Sequence, residues 1–477
     1  MRTALDAQIS DSRVAGAAVS VGAYDEDGRC QRAAEALRWL TETLGWYAPD
    51  RGPFAHVIPP GAKVVIKPNL VLHENQGAWG IEPLVTHPSI IMAATQAALL
   101  AGASEVVVGD APVQGCDLAY LMQRTGLDAW AEALRRDEPR FKGIRDFRRT
   151  TCVYVDGVRR PTEGRLPEDH FVLFDLGSDS LLEPVTDERS GFRVTCYDPR
   201  LLANTHAKGR HMYLIAREIM EADVVINLPK LKTHKKAGIT CALKNLVGIN
   251  GNKEYLPHHR LGGSSAGGDC YPGASLVKSA LEHAADRQNM ATSVLAARVW
   301  HRLVRNLDQV ARLQGDQVGV EGSWWGNDTV WRTCLDLNRI LLYGQTDASM
   351  KANVQRTVVH VVDAVMAGQG DGPLAPRPLP LGLVFAGQNA VAVDWVGARL
   401  LGFDPQRVSL TRQAFGPFPW PLASFGVTSM VLLGDWGAGV ADRVIEGHPA
   451  PVLPVIHPCG WVDAAPRQAQ PCQLPSL

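Results

Sequence analysis

The chain has 477 residues, with 48 Lys and Arg against 49 Asp and Glu, so its formal charge is −1 and no overall attraction to nucleic acid or anionic lipid is expected. Apolar residues make up 46% and charged residues 20%, the balance of a globular protein rather than a disordered or membrane protein. No segment approaches the ~18 uninterrupted apolar residues of a membrane-spanning helix, and the first residues lack a secretory signal pattern. We therefore expect a cytoplasmic protein with no nucleic-acid or membrane partner.

Strand and helix patterns alternate in the first third of the chain. Apolar side chains recur at helical spacing over residues 29–46, and a buried strand pattern follows at 63–71. A helix that begins at a proline and ends at a glycine is predicted over 88–102, followed by a strand over 105–112. This alternation predicts the α/β fold class, with mostly parallel sheets covered by helices in a Rossmann-like arrangement.

The pattern changes character along the rest of the chain. Charged and turn-forming residues indicate an insertion or a small antiparallel β-containing subdomain, after which the α/β pattern resumes around a helical insert. The predicted units are a first α/β segment 1–134, the inserted region 135–205, a second α/β segment 206–445 with the helical insert 274–343, and a C-terminal tail 446–477.

Four elements of the second α/β segment matter for the site. The spacing of apolar residues predicts an amphipathic helix over 211–222 and a buried strand over 223–230. A Gly- and Pro-rich loop is predicted over 366–380, between two buried strands, and a helix over 389–402.

Polar side chains follow the two buried strands of the first segment. Lys67 and Asn69 flank a proline at the end of one strand, and Asp110 ends the next. Ligands in such sheets bind outside the carboxyl ends of the strands, so these residues are candidates for an anion clamp and a catalytic or metal-binding carboxylate. A solvated lysine and a turn-forming aspartate are the alternatives. Thr86 or His87 is placed near a helix N-terminus, where the imidazole would be held neutral or serve a structural role.

The strongest signal is a basic stretch that leaves the strand 223–230. Residues 208–260 contain ten Lys and Arg against four Asp and Glu, a local excess of six positive charges in a chain that is neutral overall. Such an arrangement favours a small carboxylate or phosphate over a long polyanion. A solvated basic face is the alternative, although apolar residues interleave with the lysines. The candidate residues here are Lys230, Lys232, His234, Lys244 and Asn245.

A glycine-rich segment and three metal-type side chains complete the candidates. Gly370 and Gly372 would allow positive φ or close approach of a ligand, although the segment does not match the dinucleotide-binding fingerprint. His258, His259 and Asp110 are the candidate metal ligands, but no local ligand spacing supports them. The nine cysteines include no C-x-x-C pair, so the chain carries no iron–sulfur motif of its own.

The order and spacing of these motifs resemble the domain-of-unknown-function 362 family. The motifs concerned are "VVIKPNLV", "VVVGDAP", "ADVVINLPKLKTHKKAGITCALKNLVGI", "VVDAVMAGQGDGP" and "AGQNAVAVDWVGARLLGFDP". The resemblance implies no settled common reaction, and many members of that family carry ferredoxin-like cysteine runs, which this sequence lacks.

A second, local similarity is to the nickel-pincer lactate racemases. It consists of His234, Ala237, Gly238 and Lys244, and it implies proton transfer by the histidine and attachment of a cofactor or substrate to the lysine. The residues 240–242 differ from the Ser-Gly-Gly of that family, which leaves cofactor attachment without support.

These observations predict an enzyme for a small anionic substrate, acting by isomerase-like proton transfer or by a redox step with a borrowed cofactor. The predicted catalytic residues are His234, Lys244 and Lys67, and the predicted substrate-binding residues are Asn69, Lys230, Lys232, Asn245, Gly370 and Gly372. The alternatives are a binding or electron-transfer accessory protein that works with a separate iron–sulfur partner, and a scaffold whose lysines point outward.

Overall fold

The computed structural model describes residues 5–19, 31–155, 158–162, 166–187, 191–437 and 454–464. Its strands are β1 Arg13–Ala18, β2 Lys63–Pro68, β3 Glu105–Asp110, β4 Phe141–Asp146, β5 Cys152–Val155, β6 Val158–Pro161, β7 Phe171–Asp175, β8 Phe192–Arg193, β9 His206–Ala207, β10 Arg210–Ala216, β11 Val224–Leu228, β12 Lys230–His234, β13 Gly238–Thr240, β14 His259–Arg260, β15 Thr357–Asp371, β16 Ala375–Leu379, β17 Leu383–Gly387 and β18 Val431–Asp435. Its α-helices are α1 Gln31–Leu44, α2 Pro88–Leu100, α3 Leu118–Thr125, α4 Leu127–Asp137, α5 Pro199–Thr205, α6 Arg217–Glu221, α7 Ala242–Asn245, α8 Leu276–Met290, α9 Val294–Leu313, α10 Val330–Tyr343, α11 Ala390–Leu400 and α12 Ser409–Gln413.

One large mixed sheet organises the described part of the chain. Its main path runs β18-β1-β17-β15-β11-β2-β3-β4, and β12, β13 and β16 extend it beside β15. The pairs from β15 through β11, β2 and β3 to β4 are parallel, whereas β17 is antiparallel to both β15 and β1. Strands β2, β3 and β11 are buried almost throughout, as expected for parallel strands covered on both faces. The predicted α/β class is confirmed.

The strand order places a crevice next to β2. Its parallel neighbours are β3, which follows it in the chain, and β11, which comes much later. A parallel sheet whose connections diverge at one strand leaves a ligand-binding crevice outside the carboxyl ends. β12 follows β11 directly and pairs in parallel with the second half of β15, so the basic stretch begins at this edge.

The helix predicted over residues 211–222 was wrong for its first half. That half belongs to β10, which pairs antiparallel with β7, and the short helix α6 follows it. Both faces of the strand are buried: Tyr213 and Ile215 pack in one apolar cluster, while Leu214 packs with Phe171 in another. Such a continuous apolar run also fits a helical pattern, and pairing with the distant β7 decides the outcome.

The prediction of a Gly- and Pro-rich loop over 366–380 was also wrong. β15 continues to Asp371, and its last residues form an antiparallel hairpin with β16. Among the described strands, β16 pairs with β15 alone, and such an edge strand tolerates the prolines at 376 and 378.

The region 135–205 contributes to more than one sheet. β4 is the edge strand of the main sheet, whereas β5 pairs with β6, and β7 pairs with β10 of the later segment. The region 274–343 contains α8, α9 and α10. The division of the chain into domains stays a prediction.

Candidate active site

The carboxyl ends of β2 and β3 carry a buried ion pair. Lys67 Nζ lies 2.7 Å from Asp110 Oδ1, and the two side chains are 0% and 3% exposed. The ammonium also donates to the carbonyl of Pro68 at 2.7 Å, and Asp110 Oδ2 accepts the backbone N–H of Leu70 at 2.7 Å. The carboxylate predicted as a ligand or catalyst is therefore held by its neighbours.

Three further predicted residues join this pair. Asn69 Nδ2 donates to Asn245 Oδ1 at 2.8 Å, and Lys232 Nζ donates to Asn69 Oδ1 at 2.7 Å and to the carbonyl of Leu84. Asn245 Nδ2 donates in turn to Asn227 Oδ1 at 2.7 Å. We call Lys67, Asn69, Asp110, Lys232 and Asn245 the lysine–amide network. Its members are all buried and satisfy one another's polar groups.

Lys230 forms a second buried ion pair beside the lysine–amide network. Its Nζ lies 2.7 Å from Asp363 Oδ2, and both side chains are fully buried. The same oxygen accepts the backbone N–H of His87 at 2.8 Å. His87 is the N-cap of α2, as the sequence predicted, and its Nδ1 accepts from the backbone N–H of Ser89. Burial lowers the pKa of His87 to about 4, so the imidazole is neutral at pH 7.

The two predicted glycines serve the packing of the β15–β16 hairpin on β12. Gly370 has φ +74°, and its carbonyl accepts a hydrogen bond from Thr233 Oγ1 at 2.7 Å. A Cβ at Gly372 would lie 1.8 Å from the Thr233 carbonyl oxygen, and the Gly372 carbonyl accepts from the backbone N–H of Lys235 at 3.0 Å. The close approach that these glycines allow is to the protein's own backbone.

Lys244, His234 and His258 form a cluster of a different kind, the Lys244–histidine cluster. Lys244 lies on the short helix α7 and is 9% exposed. Among the described residues, its ammonium has no hydrogen-bond or ion-pair partner, and neither imidazole Nε2 has one. The charge of Lys244 acts on both histidines, and His258 also acts on His234. Three nitrogen atoms thus share one neighbourhood without protein partners.

The two imidazoles of this cluster present opposite tautomers. His234 Nδ1 accepts the backbone N–H groups of Lys236 at 3.0 Å and Ala237 at 3.1 Å, which leaves the ring proton on Nε2. His258 Nδ1 lies 2.7 Å from the carbonyl of Leu256, so Nδ1 carries the proton and Nε2 the lone pair. These assignments follow from the hydrogen-bond partners. One Nε2 is therefore a donor and the other an acceptor.

Burial and neighbouring positive charge lower the pKa values of all three side chains in this cluster. Burial, followed by the charge of Lys244, holds the pKa of both His234 and His258 well below the usual value. Burial also lowers the pKa of Lys244, and the nearby Lys236 and Lys67 add to that effect. Both rings are neutral at pH 7.

A cavity of about 460 Å³ is lined by chain neighbours of the cluster rather than by the cluster itself. Lys235 and His259, the chain neighbours of the cluster, line it together with Thr195, Cys196 and Glu321. Lys236 Nζ donates to Thr195 Oγ1 at 2.6 Å. The sequence did not single out Lys236 as a candidate site residue, although its place in the basic stretch was a usable signal.

The three predicted metal ligands have separate surroundings. Asp110 pairs with Lys67, whereas His258 is bonded to Leu256 and His259 packs against Gly322. Within the described ranges, no group of three or more His, Cys, Asp or Glu side chains is arranged to hold a metal ion. The metal assignment stays a prediction, as do the catalytic and substrate-binding roles.

Comparison with known proteins identifies the family. The profile of the family described as domain of unknown function (DUF362) matches residues 64–156 and 186–399, which together make up more than half of the chain. The chain belongs to the DUF362 family. Both the lysine–amide network and the Lys244–histidine cluster lie within the matched ranges of this DUF362 protein.

Two further similarities are weaker. A thylakoid-associated protein of Synechocystis sp. is 22% identical over 373 residues, covering 78% of this DUF362 chain and 71% of the relative. A solved structure of a protein from Thermotoga maritima aligns with a TM-score of 0.31 and 11% identity, covering 80% of this chain and 59% of that chain. Across the described residues, no helix is long and apolar enough to cross a membrane. The cytoplasmic location stays a prediction.

Proposed function

We propose that this DUF362 protein is an enzyme that binds a small carboxylate- or phosphate-bearing substrate at Lys244 and transfers a proton on it. The observation that carries the proposal is the Lys244–histidine cluster, in which an ammonium, an Nε2–H donor and an Nε2 acceptor lack partners among the described residues. Buried polar groups are normally satisfied, and groups that are not satisfied by the protein are available to a ligand.

The balance of buried charge supports an anionic ligand. Of four buried lysines at this edge, Lys67 and Lys230 have carboxylate partners. In the described part of the chain, Lys232 and Lys244 form no ion pair. The ammonium of Lys232 is bonded to amide and carbonyl oxygens, whereas Lys244 has none. An anion at Lys244 would supply the missing negative charge, and the attraction between the two charges is strong at low dielectric constant.

The two histidines have different roles in this proposal. His234 cannot readily take a proton on Nδ1, because that atom already accepts two backbone N–H groups. It stays neutral and donates a hydrogen bond from Nε2 to a substrate oxygen. His258 has its free lone pair on Nε2 and acts as the general base. In this proposal the acid/base role predicted for His234 belongs instead to His258, which the sequence suggested as a metal ligand.

The proposed step moves one proton and no electrons to or from the protein. His258 Nε2 removes the proton from the carbon next to a carboxylate or carbonyl group of the substrate, and the C–H electron pair delocalises onto the oxygen of that group. Lys244 and His234 Nε2–H stabilise that negative charge, and the imidazolium returns the proton to carbon. A bound anion also offsets the Lys244 charge, which raises the pKa of His258 and makes it a better base.

Solvent-proton exchange tests this function directly. The full-length protein is incubated in deuterium oxide with a panel of short carboxylic acids, and loss of the proton signal on the α-carbon is followed by NMR. We expect His258→Gln to slow exchange by about 10²–10⁴-fold, the usual contribution of a general base. Lys244→Met should weaken binding of the same acid. Lys235→Met is the matched control, since Lys235 is solvent-exposed and lines the cavity.

Three outcomes would count against the proposal. If exchange persists in His258→Gln, His258 is not the general base. If binding persists in Lys244→Met, Lys244 does not bind the anion. Anion binding by the unmodified protein without exchange of any acid in the panel would favour the alternative of a binding protein. The nickel-pincer resemblance stays a prediction that elemental analysis of the purified protein can test.

A further inference from the structure

Helix α9 lies on the surface with little of its length buried. Of its twenty residues, Ala297 and Ala311 are the ones that are fully buried, and the helix packs against α8 through that face. A surface helix of a globular protein normally turns its apolar residues inward. This one directs a second apolar face outward.

The outward face carries an apolar stripe that the exposed Asn306 interrupts between Leu303 and Val310. At about 100° per residue, its members fall within roughly 80° of one another and extend over about 27 Å. All five are between 40% and 88% exposed, and Leu276, at the same end of the α8–α9 pair as the last of them, is 91% exposed. We call Leu295, Val299, Leu303, Val310 and Leu313 the α9 stripe.

Positive charge borders the α9 stripe on one side. Arg298, Arg302, Arg305 and Arg312 are exposed on this helix, whereas Asp308 is its single acidic residue. Asp308 pairs with Arg312 at 2.8 Å, and the helix itself carries four arginines against this one aspartate. A helix with an apolar stripe bordered by arginines is the pattern of a helix that lies in a lipid–water interface.

We propose that α9 docks this protein on a membrane surface that contains anionic lipid. The apolar stripe enters the boundary between headgroups and acyl chains, and the arginines lie at the level of the lipid phosphates. A second copy of the chain would cover the stripe but would bring arginines rather than negative charge to this border. Charge complementarity therefore favours anionic lipid as the occupant. Arg305 and Arg312 also line the 460 Å³ cavity, so docking brings the cavity close to the lipid surface.

Vesicle flotation tests this proposal with the full-length protein. The probes are vesicles of phosphatidylcholine alone and vesicles of phosphatidylcholine with phosphatidylglycerol. We expect binding to the anionic vesicles that weakens as salt is added. Arg302→Gln with Arg305→Gln should lower the partition coefficient by about 30-fold, since each arginine near an anionic surface contributes about a fivefold factor. Leu295→Gln with Val299→Gln should lower it by about tenfold or more.

Matched controls lie on other helices. Leu100→Gln removes a leucine that is 60% exposed on α2, and Arg135→Gln with Arg136→Gln removes two exposed arginines from α4. Both controls should bind as the unmodified protein does, and circular dichroism checks that every variant folds. Equal losses in the control variants, or no flotation of the unmodified protein, would overturn the proposal. A concentration-dependent dimer that Leu295→Gln with Val299→Gln dissociates, without vesicle binding, would assign the stripe to a second copy instead.

Discussion

The lysine–amide network and the Lys244–histidine cluster lie at the same edge of the sheet, and α7 contributes a residue to each. Asn245 of the network is engaged on both its oxygen and its nitrogen, whereas Lys244, its neighbour in the chain, has no partner among the described residues. Each cluster contains a buried lysine: Lys67 and Lys232 in the network, and Lys244 in the Lys244–histidine cluster. The difference teaches that burial of a lysine does not by itself identify a binding site, because its partners decide whether it holds the fold or is available to a ligand.

The two clusters give different roles to Lys67 and Lys244, which the sequence grouped together as catalytic candidates. Lys67 neutralises Asp110 and ties β2 to β3, so its loss should cost stability. Lys244 is 9% exposed and has no hydrogen-bond or ion-pair partner among the described residues, so its loss should cost binding and little stability. The predictions below separate the two clusters by their effect on the free energy of unfolding, from the largest to the smallest.

Lys67→Met should be the most destabilising of these changes. It leaves the Asp110 carboxylate buried without its ion-pair partner, which typically costs about 3–5 kcal/mol. Urea unfolding at pH 7 measures the loss. Adding Asp110→Asn should recover part of it, because the buried charge is then gone. A loss under about 1 kcal/mol would contradict the structural role given to this pair.

Asp394→Asn should change the pH dependence of stability. Asp394 accepts the backbone N–H of Leu243 at 3.1 Å and so holds α7, and burial raises its pKa to about 7. The raised pKa means that the protonated carboxyl favours the fold, and this stability is lost as the pH rises from about 4 to about 7. The Asp394→Asn variant has no carboxyl group at this position to ionise, so it does not lose this stability as the pH rises. Its stability relative to the unmodified protein should rise by about 2–4 kcal/mol between pH 4 and pH 8.

Parallel urea titrations at several pH values give this difference directly. Other buried groups titrate in the same range, such as His87, whose lowered pKa makes the fold lose stability as the pH falls from 6.5 to about 4. These contributions are common to both proteins and cancel in the difference. A difference that stays constant with pH would show that Asp394 is ionised in the fold.

Gly248→Ala should disturb the lysine–amide network by a smaller amount. A Cβ at this position would lie 2.0 Å from Asp110 Oδ1 and 2.7 Å from Lys67 Nζ, and both atoms are fixed by their ion pair. Overpacking of this kind costs about 1–3 kcal/mol. Gly426→Ala is the matched control, because its φ is −95° and a Cβ there would meet nothing within 4 Å. Equal melting temperatures for the two variants would contradict the rigidity of the network.

Much of the fold could be predicted from the sequence, because most elements of the main sheet have an unambiguous period. β2, β3 and β11 are short apolar runs that end at polar residues, and α2 begins at a proline. The segment 211–222 was misread because both faces of β10 are buried, so its apolar positions do not alternate. Only its pairing with β7, nearly forty residues earlier, determines the strand.

The position of the candidate site could also be predicted, but its division into two clusters could not. The rule that ligands bind at the carboxyl ends of strands brought Lys67, Asp110 and Lys232 to one edge. Their partners include the Leu84 carbonyl and Asn69, which no local pattern marks as a lysine acceptor. The tautomer of His258 likewise depends on the carbonyl of Leu256. Such assignments need the positions of individual donors and acceptors.

The proposal for α9 departs from what net charge alone predicts. A formal charge of −1 suggested no attraction to anionic lipid, yet α9 concentrates four arginines beside an apolar stripe. Long-range attraction follows total charge, whereas docking depends on how charge and apolar surface are arranged on one face. Composition alone does not contain that arrangement.

Lys244→Met should have the smallest effect on stability and therefore sharpens the comparison most. Methionine has a similar length and no charge, so the variant removes a desolvated ammonium that has no partner among the described residues and leaves little empty volume. We expect the free energy of unfolding to change by less than about 1 kcal/mol, and a gain is consistent with removal of an uncompensated charge. Urea unfolding beside Lys67→Met measures both lysines in the same way. A loss as large as that of Lys67→Met would mean that Lys244 holds the fold, and the distinction between the two clusters would then fail.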